Sequence, residues 1–251
     1  MDLKQFSLSG RVGLVTGSTG GIGRAIATGL TNAGARIAIN GRNESRVEEV
    51  VQSLNGAMSS PFDVVDHVAA AGAIDKIISD TGRFDILVCS VGARDRRSIA
   101  EIDAAAFQDL FFTNTVSAYQ LARAALKKMP NPETGRLIFI SSIASKRPFR
   151  SDPAYSSSKA ALESLVRSFC YEFASLGITA NAIAPGFVAT EFNSHLIEEP
   201  SIKEFVNSRI PAQRWARPEE VANAAVFLAS DGASYVNGHV LTVDAGLSTN
   251  L

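Results

Sequence analysis

A tyrosine and a lysine four positions apart, Tyr155 and Lys159, are the residues whose types and spacing first suggest chemistry in this chain. If the segment that follows them is helical, both side chains lie on one helix face, a turn apart. A phenol ordinarily ionises at about pH 10, and an ammonium group within a few ångströms favours the phenolate and lowers that pKa. A tyrosine tuned in this way can donate or accept a proton at neutral pH. The pair predicts acid–base chemistry, provided that the chain also binds a substrate carbonyl and a source of hydride.

A glycine-rich turn near the start of the chain, Thr16–Gly23, indicates the source of hydride. Its glycines are spaced G-x-x-x-G-x-G, which lets the backbone turn tightly and approach a pyrophosphate at the positive end of the following helix. The turn follows an apolar strand, residues 11–16, and opens the first predicted helix, as in a dinucleotide-binding βαβ unit. The expected cofactor-binding residues of this turn are Gly17, Ser18, Thr19, Gly21, Ile22 and Gly23.

The end of the second predicted strand, residues 36–40, indicates which dinucleotide is bound. An acidic side chain at this place binds the ribose 2′-hydroxyl of NAD, whereas a basic one nearby accepts the 2′-phosphate of NADP. Here the strand is followed by Gly41, Arg42 and Asn43, and the first carboxylate is that of Glu44. We therefore predict NADP(H), with Arg42 on the 2′-phosphate. NAD(H) stays open as the alternative, with Arg42 then a solvated loop residue.

Composition limits the classes of protein that this chain can belong to. It has 251 residues, of which 46% are hydrophobic, and a net charge of −1 from 24 basic and 25 acidic residues. This balance gives no reason to expect nucleic acid or an anionic membrane as a partner. There is no charged-then-apolar leader and no long apolar run, so we expect a cytoplasmic protein. The two cysteines and three scattered histidines predict neither a disulfide framework nor a metal site.

Strands and helices are predicted to alternate along the whole chain. Apolar strands are expected near residues 11–16, 36–40, 61–62, 85–90, 136–140, 178–184 and 240–243. Helices are expected over residues 24–30, 44–54, 66–80, 107–128 and 219–228, and after Tyr155. Repeated βα units predict an α/β fold, a Rossmann-type doubly wound parallel sheet of about seven strands with helices on both faces. No linker divides the chain, so we expect one domain over residues 1–251.

The longest interruption of this alternation covers residues 190–218. The segment contains Pro200, Pro211 and Pro218 among mixed charges, and it follows a predicted strand. Open α/β sheets bind ligands at the carboxyl ends of their strands. We therefore expect a mobile lid over the substrate rather than a core element, with an ordinary surface insertion as the alternative.

Several motifs, in this order along the chain, resemble those of the classical short-chain dehydrogenases/reductases. Ser142 stands thirteen positions before Tyr155, as in that family. The resemblance extends over nearly the whole chain and also rests on Thr16–Gly23, Asn114, the Tyr155-x-x-x-Lys159 motif, and residues 185–190 and 236–246.

The resemblance implies a role for each member of the catalytic set. Tyr155 is the general acid in carbonyl reduction or the base in alcohol oxidation. Lys159 lowers the pKa of Tyr155 and holds the nicotinamide ribose. Ser142 hydrogen-bonds the substrate oxygen, and Asn114 anchors a water that links Lys159 to solvent.

The resemblance also implies further cofactor contacts and an assembly. Asp63 is similar to the residue that contacts adenine, while Val188 and Thr190 are similar to those that contact the carboxamide. The family usually forms tetramers or dimers, so we expect a homotetramer. The complete additional set of cofactor contacts is Asp63, Val64, Gly92, Pro185, Gly186, Val188 and Thr190, together with Tyr155 and Lys159.

Two positions depart from the family pattern. Where the family usually has Asn-Asn-Ala-Gly after the fourth strand, this chain has Cys89-Ser90-Val91-Gly92. The glycine is kept and the asparagine is lost; we interpret Cys89 as a buried strand residue rather than a reactive thiol. The turn also has Gly20 where NADPH-dependent relatives often carry a basic residue, which leaves Arg42 as the main support for NADP(H).

Two basic loops suggest the class of substrate. Their candidate substrate-binding residues are Arg94, Arg97, Arg147 and Arg150. Guanidinium groups beside a carbonyl site suit a polar or anionic keto compound. Residues 92–97, 213–215 and 236–240 resemble those of the gluconate 5-dehydrogenase branch, which implies a keto sugar acid as the substrate. The four arginines are equally compatible with solvation, with pairing to nearby aspartates such as Asp95 and Asp152, or with subunit contacts.

Two alternative functions stay open. A 3-oxoacyl-(acyl carrier protein) reductase, or a broad ketone reductase, shares the same core motifs. A sensor that binds a dinucleotide without catalysis belongs to a different class. Such a sensor need not keep all four residues of the catalytic set, which this chain does.

Overall fold

Seven parallel strands form one sheet in the order β3-β2-β1-β4-β5-β6-β7. The computed structural model describes residues 3–129, 134–148 and 151–249. The strands are β1 (Val12–Val15), β2 (Arg36–Gly41), β3 (Met58–Pro61), β4 (Ile86–Cys89), β5 (Arg136–Ile140), β6 (Thr179–Pro185) and β7 (Val240–Val243). The strand order reverses between β1 and β4, the place where open α/β sheets bind ligands.

Helices connect the strands and cover both faces of this sheet. They are α1 (Gly21–Asn32), α2 (Glu44–Ser53), α3 (His67–Thr81), α4 (Ala104–Phe111), α5 (Ser117–Leu126), α6 (Pro153–Phe173), α7 (Ser194–Ile197), α8 (Pro200–Arg209) and α9 (Pro218–Ala229). The architecture confirms the predicted Rossmann-type fold.

Strand alternation divides the core into two apolar layers. In β1, Leu14 belongs to one layer and Val15 to the other, and both are completely buried. Leu14 packs in the layer that holds side chains of α3, α5 and α6, whereas Val15 packs in the layer that holds α1, α2 and α9. Because successive side chains of a strand point to opposite faces, strands that are apolar throughout need helices on both sides.

One predicted helix needs correction, and the predicted lid segment has secondary structure of its own. The helix expected over residues 107–128 is interrupted by a π-helical segment, Phe112–Val116, between α4 and α5. Residues 190–218, where a lid is expected, contain helices α7 and α8. Val206 of α8 is buried in a small apolar cluster with Ile143 and Leu247, which anchors the segment to the rest of the domain. In the described part of the chain, no helix is both long and apolar enough to cross a membrane.

Asp85, just before β4, holds the amino-terminal edge of the sheet together. Its side chain is 1% exposed and accepts a 2.8 Å hydrogen bond from the Val12 N–H of β1. It also accepts two hydrogen bonds from Arg83, of 2.8 and 2.7 Å, and one of 2.8 Å from Thr134. A buried carboxylate with this many donors is stable only while they remain in place.

We expect Asp85→Ala to lower the free energy of unfolding by about 2–3 kcal/mol, because it leaves a strand N–H and a guanidinium without their acceptor. Urea denaturation with linear extrapolation measures this change. Asp80→Ala is the matched control, since Asp80 forms an exposed ion pair with Lys76 and contributes little. A loss for Asp85→Ala no larger than that of the control would contradict the assignment.

Candidate active site

Helix α6 places Tyr155 and Lys159 at the carboxyl end of β5. Pro153 begins the helix, where the missing N–H of proline costs nothing. The side chain of Lys159 lies against the end of the strand, and its Nζ donates a 2.8 Å hydrogen bond to the Ile140 carbonyl oxygen. Burial lowers the pKa of Lys159 to about 8, since the protein interior disfavours the ammonium form.

Tyr155 does not have the lowered pKa that its lysine neighbour suggested. Burial raises the pKa of its phenol above the ordinary value, and a hydrogen bond with Ser142 and the charge of Arg94 oppose this effect only in part. The Lys159 Nζ lies 5.8 Å from the Tyr155 ring centroid. Desolvation therefore dominates over the neighbouring positive charge.

Ser142 is held in place by a buried carboxylate that the sequence analysis missed. Glu163 of α6 is 4% exposed, and its Oε1 accepts hydrogen bonds of 2.8 Å from Ser141 and 2.6 Å from Ser145. These bonds tie the loop that carries Ser142 to the helix that carries Tyr155. The signal was present in the sequence, because a carboxylate four residues after Lys159 shares its buried helix face.

Asn114 lies in the π-helical segment and clamps the loop after β4. Its Oδ1 accepts a 2.6 Å hydrogen bond from the Ala93 N–H, and its Nδ2 donates one of 2.9 Å to the Ala93 carbonyl. Nδ2 also donates a 3.0 Å hydrogen bond to Ser158 Oγ on α6. Single-turn π-helical irregularities are often found at functional sites, where they redirect a side chain. Asn114 thus connects the β4 loop to the helix of the catalytic pair.

Gly92 and Cys89 both lie close to the side chain of Lys159. A Cβ at residue 92 would lie 3.2 Å from Lys159 Nζ, so the absence of a side chain makes room for the ammonium. Cys89 is buried in β4, and burial raises the pKa of its thiol to about 12 although Lys159 opposes the shift. These properties support the interpretation of Cys89 as a strand residue.

The glycine turn joins β1 to α1 as predicted, and internal hydrogen bonds shape it. A side chain at Gly23 would clash with the Gly17 carbonyl, so close packing demands glycine there. Ser18 is completely buried; its Oγ donates a 2.7 Å hydrogen bond to Val15 and accepts one of 2.9 Å from Asn40. Its hydroxyl therefore supports the turn from within instead of facing a ligand. Thr19 and Ile22 are partly buried in the same turn.

Asn40, at the end of β2, is a second residue that the sequence analysis missed. Its Oδ1 accepts a 3.2 Å hydrogen bond from the Gly17 N–H, and its Nδ2 donates bonds of 3.0 and 3.1 Å to the carbonyls of Ser60 and Phe62. A buried polar side chain ending an apolar strand was the available signal. Asn40 fixes the turn relative to β2 and the end of β3.

The N-terminus of α1 holds an anionic group. The Gly21 N–H donates a 2.8 Å hydrogen bond to the carboxylate Oε1 of Glu191, which follows β6. Glycines at the turn leave the space that this carboxylate occupies, since a Cβ at Gly20 would clash with it. Backbone donors at a helix N-terminus suit a phosphate for the same reason. The donor set therefore fits the pyrophosphate of a dinucleotide.

Arg42 follows directly after β2. Its side chain is 81% exposed, and its Nη1 lies 3.9 Å from Asp63 Oδ2. Val64, next to Asp63, is buried in the core layer that contains α3. The guanidinium at the end of β2 is thus accessible to a ligand.

The segment after β6 connects the sheet to residues 190–218. Pro185 is the last residue of β6, and the Gly186 N–H donates a 3.0 Å hydrogen bond to Val243 of β7. Val188 is 5% exposed and forms a parallel bridge with Ala216. Thr190 begins the first turn of the segment, held by hydrogen bonds with Asn193. This path brings Thr190 and Glu191 beside the glycine turn.

The arginines suggested for the substrate lie in different surroundings. Arg94 pairs with the buried Asp152, and its guanidinium carbon lies 5.1 Å from the centroid of the Tyr155 ring. Arg97 instead pairs with Asp95 through two nitrogens at the surface. Arg147 is exposed beyond the loop of Ser142, and Arg150 lies outside the described residues. The structure therefore brings Arg94 to the candidate site. Asp152, expected to pair with a basic loop, is the buried partner of this guanidinium.

No group of three or more histidine, cysteine, aspartate or glutamate side chains within residues 3–129, 134–148 and 151–249 is arranged to hold a metal ion.

The chain is similar to known reductases in sequence. A family model described as enoyl-(acyl carrier protein) reductase matches residues 17–248. The chain is 35% identical to the 5-keto-D-gluconate 5-reductase of Escherichia coli over 246 residues, 96% of this chain and 97% of the relative. It is also 35% identical to the 3-oxoacyl-(acyl carrier protein) reductase of Rickettsia felis, covering 96% of this chain and 98% of the relative.

Solved structures lead to the same group of enzymes. The chain superimposes with a TM-score of 0.94 on a gluconate 5-dehydrogenase from Burkholderia cenocepacia in complex with NADP and tartrate, at 34% identity and over 100% of each chain. The family model, the relatives at this level of identity and the arrangement of Ser142, Tyr155 and Lys159 agree. The chain belongs to the short-chain dehydrogenase/reductase family of oxidoreductases.

Proposed function

We propose that this protein is an NADPH-dependent ketoreductase that interconverts a keto sugar acid and the corresponding hydroxy acid. The observation that carries the proposal is the position of Tyr155, with Ser142 and the Arg94 guanidinium beside it, at the sheet edge that also carries the glycine turn. This arrangement combines proton transfer, a donor for the carbonyl oxygen and a positive charge for an anionic substrate. The dinucleotide, when bound, supplies the hydride.

In this proposal, side chains of the protein stabilise and then neutralise the negative charge that develops on the substrate oxygen during reduction. The Ser142 hydroxyl donates a hydrogen bond to the oxygen, and the Tyr155 hydroxyl transfers its proton to it during reduction. Lys159 keeps a positive charge behind the phenol and is positioned by the Ile140 carbonyl at 2.8 Å. Asn114 maintains the loop after β4 at the correct distance from α6, as its bonds to Ala93 indicate.

NADP rather than NAD is supported by two observations. The related gluconate 5-dehydrogenase structure contains NADP. In this chain, Arg42 extends into solvent at the end of β2, where the 2′-phosphate of a bound dinucleotide is expected. The nearby Asp63 carboxylate, 3.9 Å away, leaves the guanidinium exposed.

An anionic keto compound is favoured by the surroundings of Tyr155. Arg94 has a side chain that is 36% exposed, so part of its guanidinium is open to a ligand. The relatives named for 5-keto-D-gluconate and gluconate act on sugar acids of this kind by their names. A 3-oxoacyl-(acyl carrier protein) reductase is the second candidate, because a relative of that name is equally similar in sequence.

We further propose that residues 190–218 act as a lid over the substrate and that the chain assembles into a homotetramer. The contact of Glu191 with the glycine turn supports the lid, because it connects this segment to the place expected for the pyrophosphate. Exposed aromatic side chains support the assembly: Tyr171 of α6 is 91% exposed and Tyr119 of α5 is 39% exposed.

A panel of carbonyl substrates tests the function. Keto sugar acids, their uncharged keto sugar counterparts and 3-oxoacyl thioesters are each reduced with NADPH and with NADH, and kcat/KM is measured. We expect the keto sugar acid with NADPH to have the highest kcat/KM. A higher value for acyl thioesters would favour the second candidate, and tight cofactor binding without oxidation by any carbonyl would favour a non-catalytic sensor.

We expect Tyr155→Phe to bind NADPH as the wild type does but to lose at least about a hundredfold in kcat, because the proton donor is removed. Single-turnover measurements together with cofactor titration separate these two effects. Tyr235→Phe is the matched control, since the Tyr235 side chain is fully exposed. Activity of Tyr155→Phe within tenfold of the wild type would refute the role of this residue.

We expect Arg42→Ala to raise the KM for NADPH roughly tenfold to a hundredfold, because charge-assisted hydrogen bonds to the 2′-phosphate are lost. The KM for NADH should change little. Arg36→Ala, at the opposite end of β2, is the control. An equal effect of Arg42→Ala on both dinucleotides, or a wild type that prefers NADH, would overturn the cofactor assignment.

A further inference from the structure

Arg94 and Asp152 form an ion pair directly against the proposed proton donor. The Arg94 Nε donates a 2.7 Å hydrogen bond to Asp152 Oδ2, and its Nη2 contacts the same oxygen. The Asp152 side chain is 1% exposed, whereas that of Arg94 is 36% exposed. The guanidinium carbon lies 5.1 Å from the Tyr155 ring centroid, within the distance of a cation–π contact.

The backbone holds both members of this pair in place. Arg94 follows Ala93, whose N–H and carbonyl are both bound by the Asn114 side chain, at 2.6 and 2.9 Å. Asp152 immediately precedes α6, and its carbonyl accepts a 3.0 Å hydrogen bond from the Ser156 N–H in the first turn of the helix. The pair therefore links the loop after β4 to the start of the helix that carries Tyr155.

The two charges act on the phenol in opposite directions. The Arg94 guanidinium lowers the pKa of Tyr155, and the Asp152 carboxylate raises it. Ser142, on the loop after β5, lowers it through a hydrogen bond. An opposite charge within a few ångströms favours the ionised form of a titratable group, and a like charge disfavours it.

Within the described residues, Lys159 is a further charged group near the tyrosine. Its ammonium lies 5.8 Å from the ring centroid and is bound to the Ile140 carbonyl at 2.8 Å. Cys89 of β4 lies behind it with a thiol pKa of about 12, so this thiol stays neutral at physiological pH. Substitutions of Arg94 and Asp152 leave both of these groups unchanged.

We propose that Arg94 and Asp152 are positioning residues that hold the Tyr155 ring and balance its protonation, the guanidinium favouring the phenolate and the carboxylate favouring the phenol. This inference rests on the proposed role of Tyr155 as proton donor and acceptor. It gives Arg94 a second task beside binding an anionic substrate. The ion pair would then also determine the pH range over which the enzyme oxidises its alcohol substrate.

The pH profile of alcohol oxidation reports this balance. Oxidation requires the phenolate of Tyr155 as base, so kcat/KM rises with pH as the phenol loses its proton. Removing the guanidinium leaves the carboxylate unopposed, which disfavours the phenolate and moves the rise to higher pH. Removing the carboxylate charge leaves the guanidinium unopposed and moves the rise to lower pH.

The experiment compares Arg94→Gln, Asp152→Asn and the double variant with the wild type, in the rising limb of kcat/KM for NADP-dependent oxidation of a neutral polyol between about pH 7 and 11. A neutral substrate separates the proton balance from binding of a carboxylate by Arg94. We expect the midpoint of Arg94→Gln to rise by about one pH unit and that of Asp152→Asn to fall by about as much. The double variant should return close to the wild type. NADP titration and thermal unfolding verify that each variant binds cofactor and folds.

Shifts in opposite directions with recovery in the double variant support the proposal, because a merely structural role gives no such sign change. Shifts in the same direction, or no shift in either single variant, overturn it. Lys76→Gln removes one positive charge from an exposed ion pair and should leave the midpoint unchanged. If Tyr155→Phe retains turnover, the proposed function itself fails. If Tyr155→Phe is inactive and the midpoints do not move, only this inference fails.

Discussion

Buried hydrogen bonds between helix α6 and the carboxyl end of strand β5 are the constraint on which the site depends. The Lys159 ammonium is bound to the Ile140 carbonyl at 2.8 Å, and the Glu163 carboxylate accepts bonds of 2.8 and 2.6 Å from two serines that flank Ser142 in the chain. Both charged groups are almost fully buried, so losing either set of partners would be strongly unfavourable. The helix cannot slide along the strand, and the distance between Ser142 and Tyr155 is thereby fixed.

Burial also determines the electrostatics of the site. Desolvation lowers the pKa of Lys159 to about 8 and raises that of Tyr155, so the interior opposes the charged form of both groups. The arrangement of nearby dipoles and charges then decides how far each pKa moves back. Ser142 and Arg94 act on the phenol in one direction and Asp152 in the other. The motif therefore identifies the tyrosine and the lysine that take part in proton transfer, whereas their surroundings determine the pKa of each.

The glycine turn and the segment after β6 form one structural unit at the other end of the site. Asn40 fixes the turn to β2 through the Gly17 N–H, and Glu191 contacts the Gly21 N–H from the opposite side. The N-terminus of α1 thus presents backbone N–H donors to an anionic group. Because Glu191 lies at the beginning of residues 190–218, this hydrogen bond connects that segment to the glycine turn.

The sequence by itself determined the order of strands and helices, the glycine turn and the pair Tyr155 and Lys159, because periodicity, glycine spacing and i, i+4 placement are local properties. It did not determine the π-helical segment around Asn114 or the helices within residues 190–218, since both depend on contacts with distant elements. It also gave the wrong sign for the pKa of Tyr155, because desolvation depends on the whole surrounding fold. Only the tertiary structure separated Arg94, which lies over Tyr155, from Arg97 at the surface, because loop residues of the same type differ only in what packs beneath them.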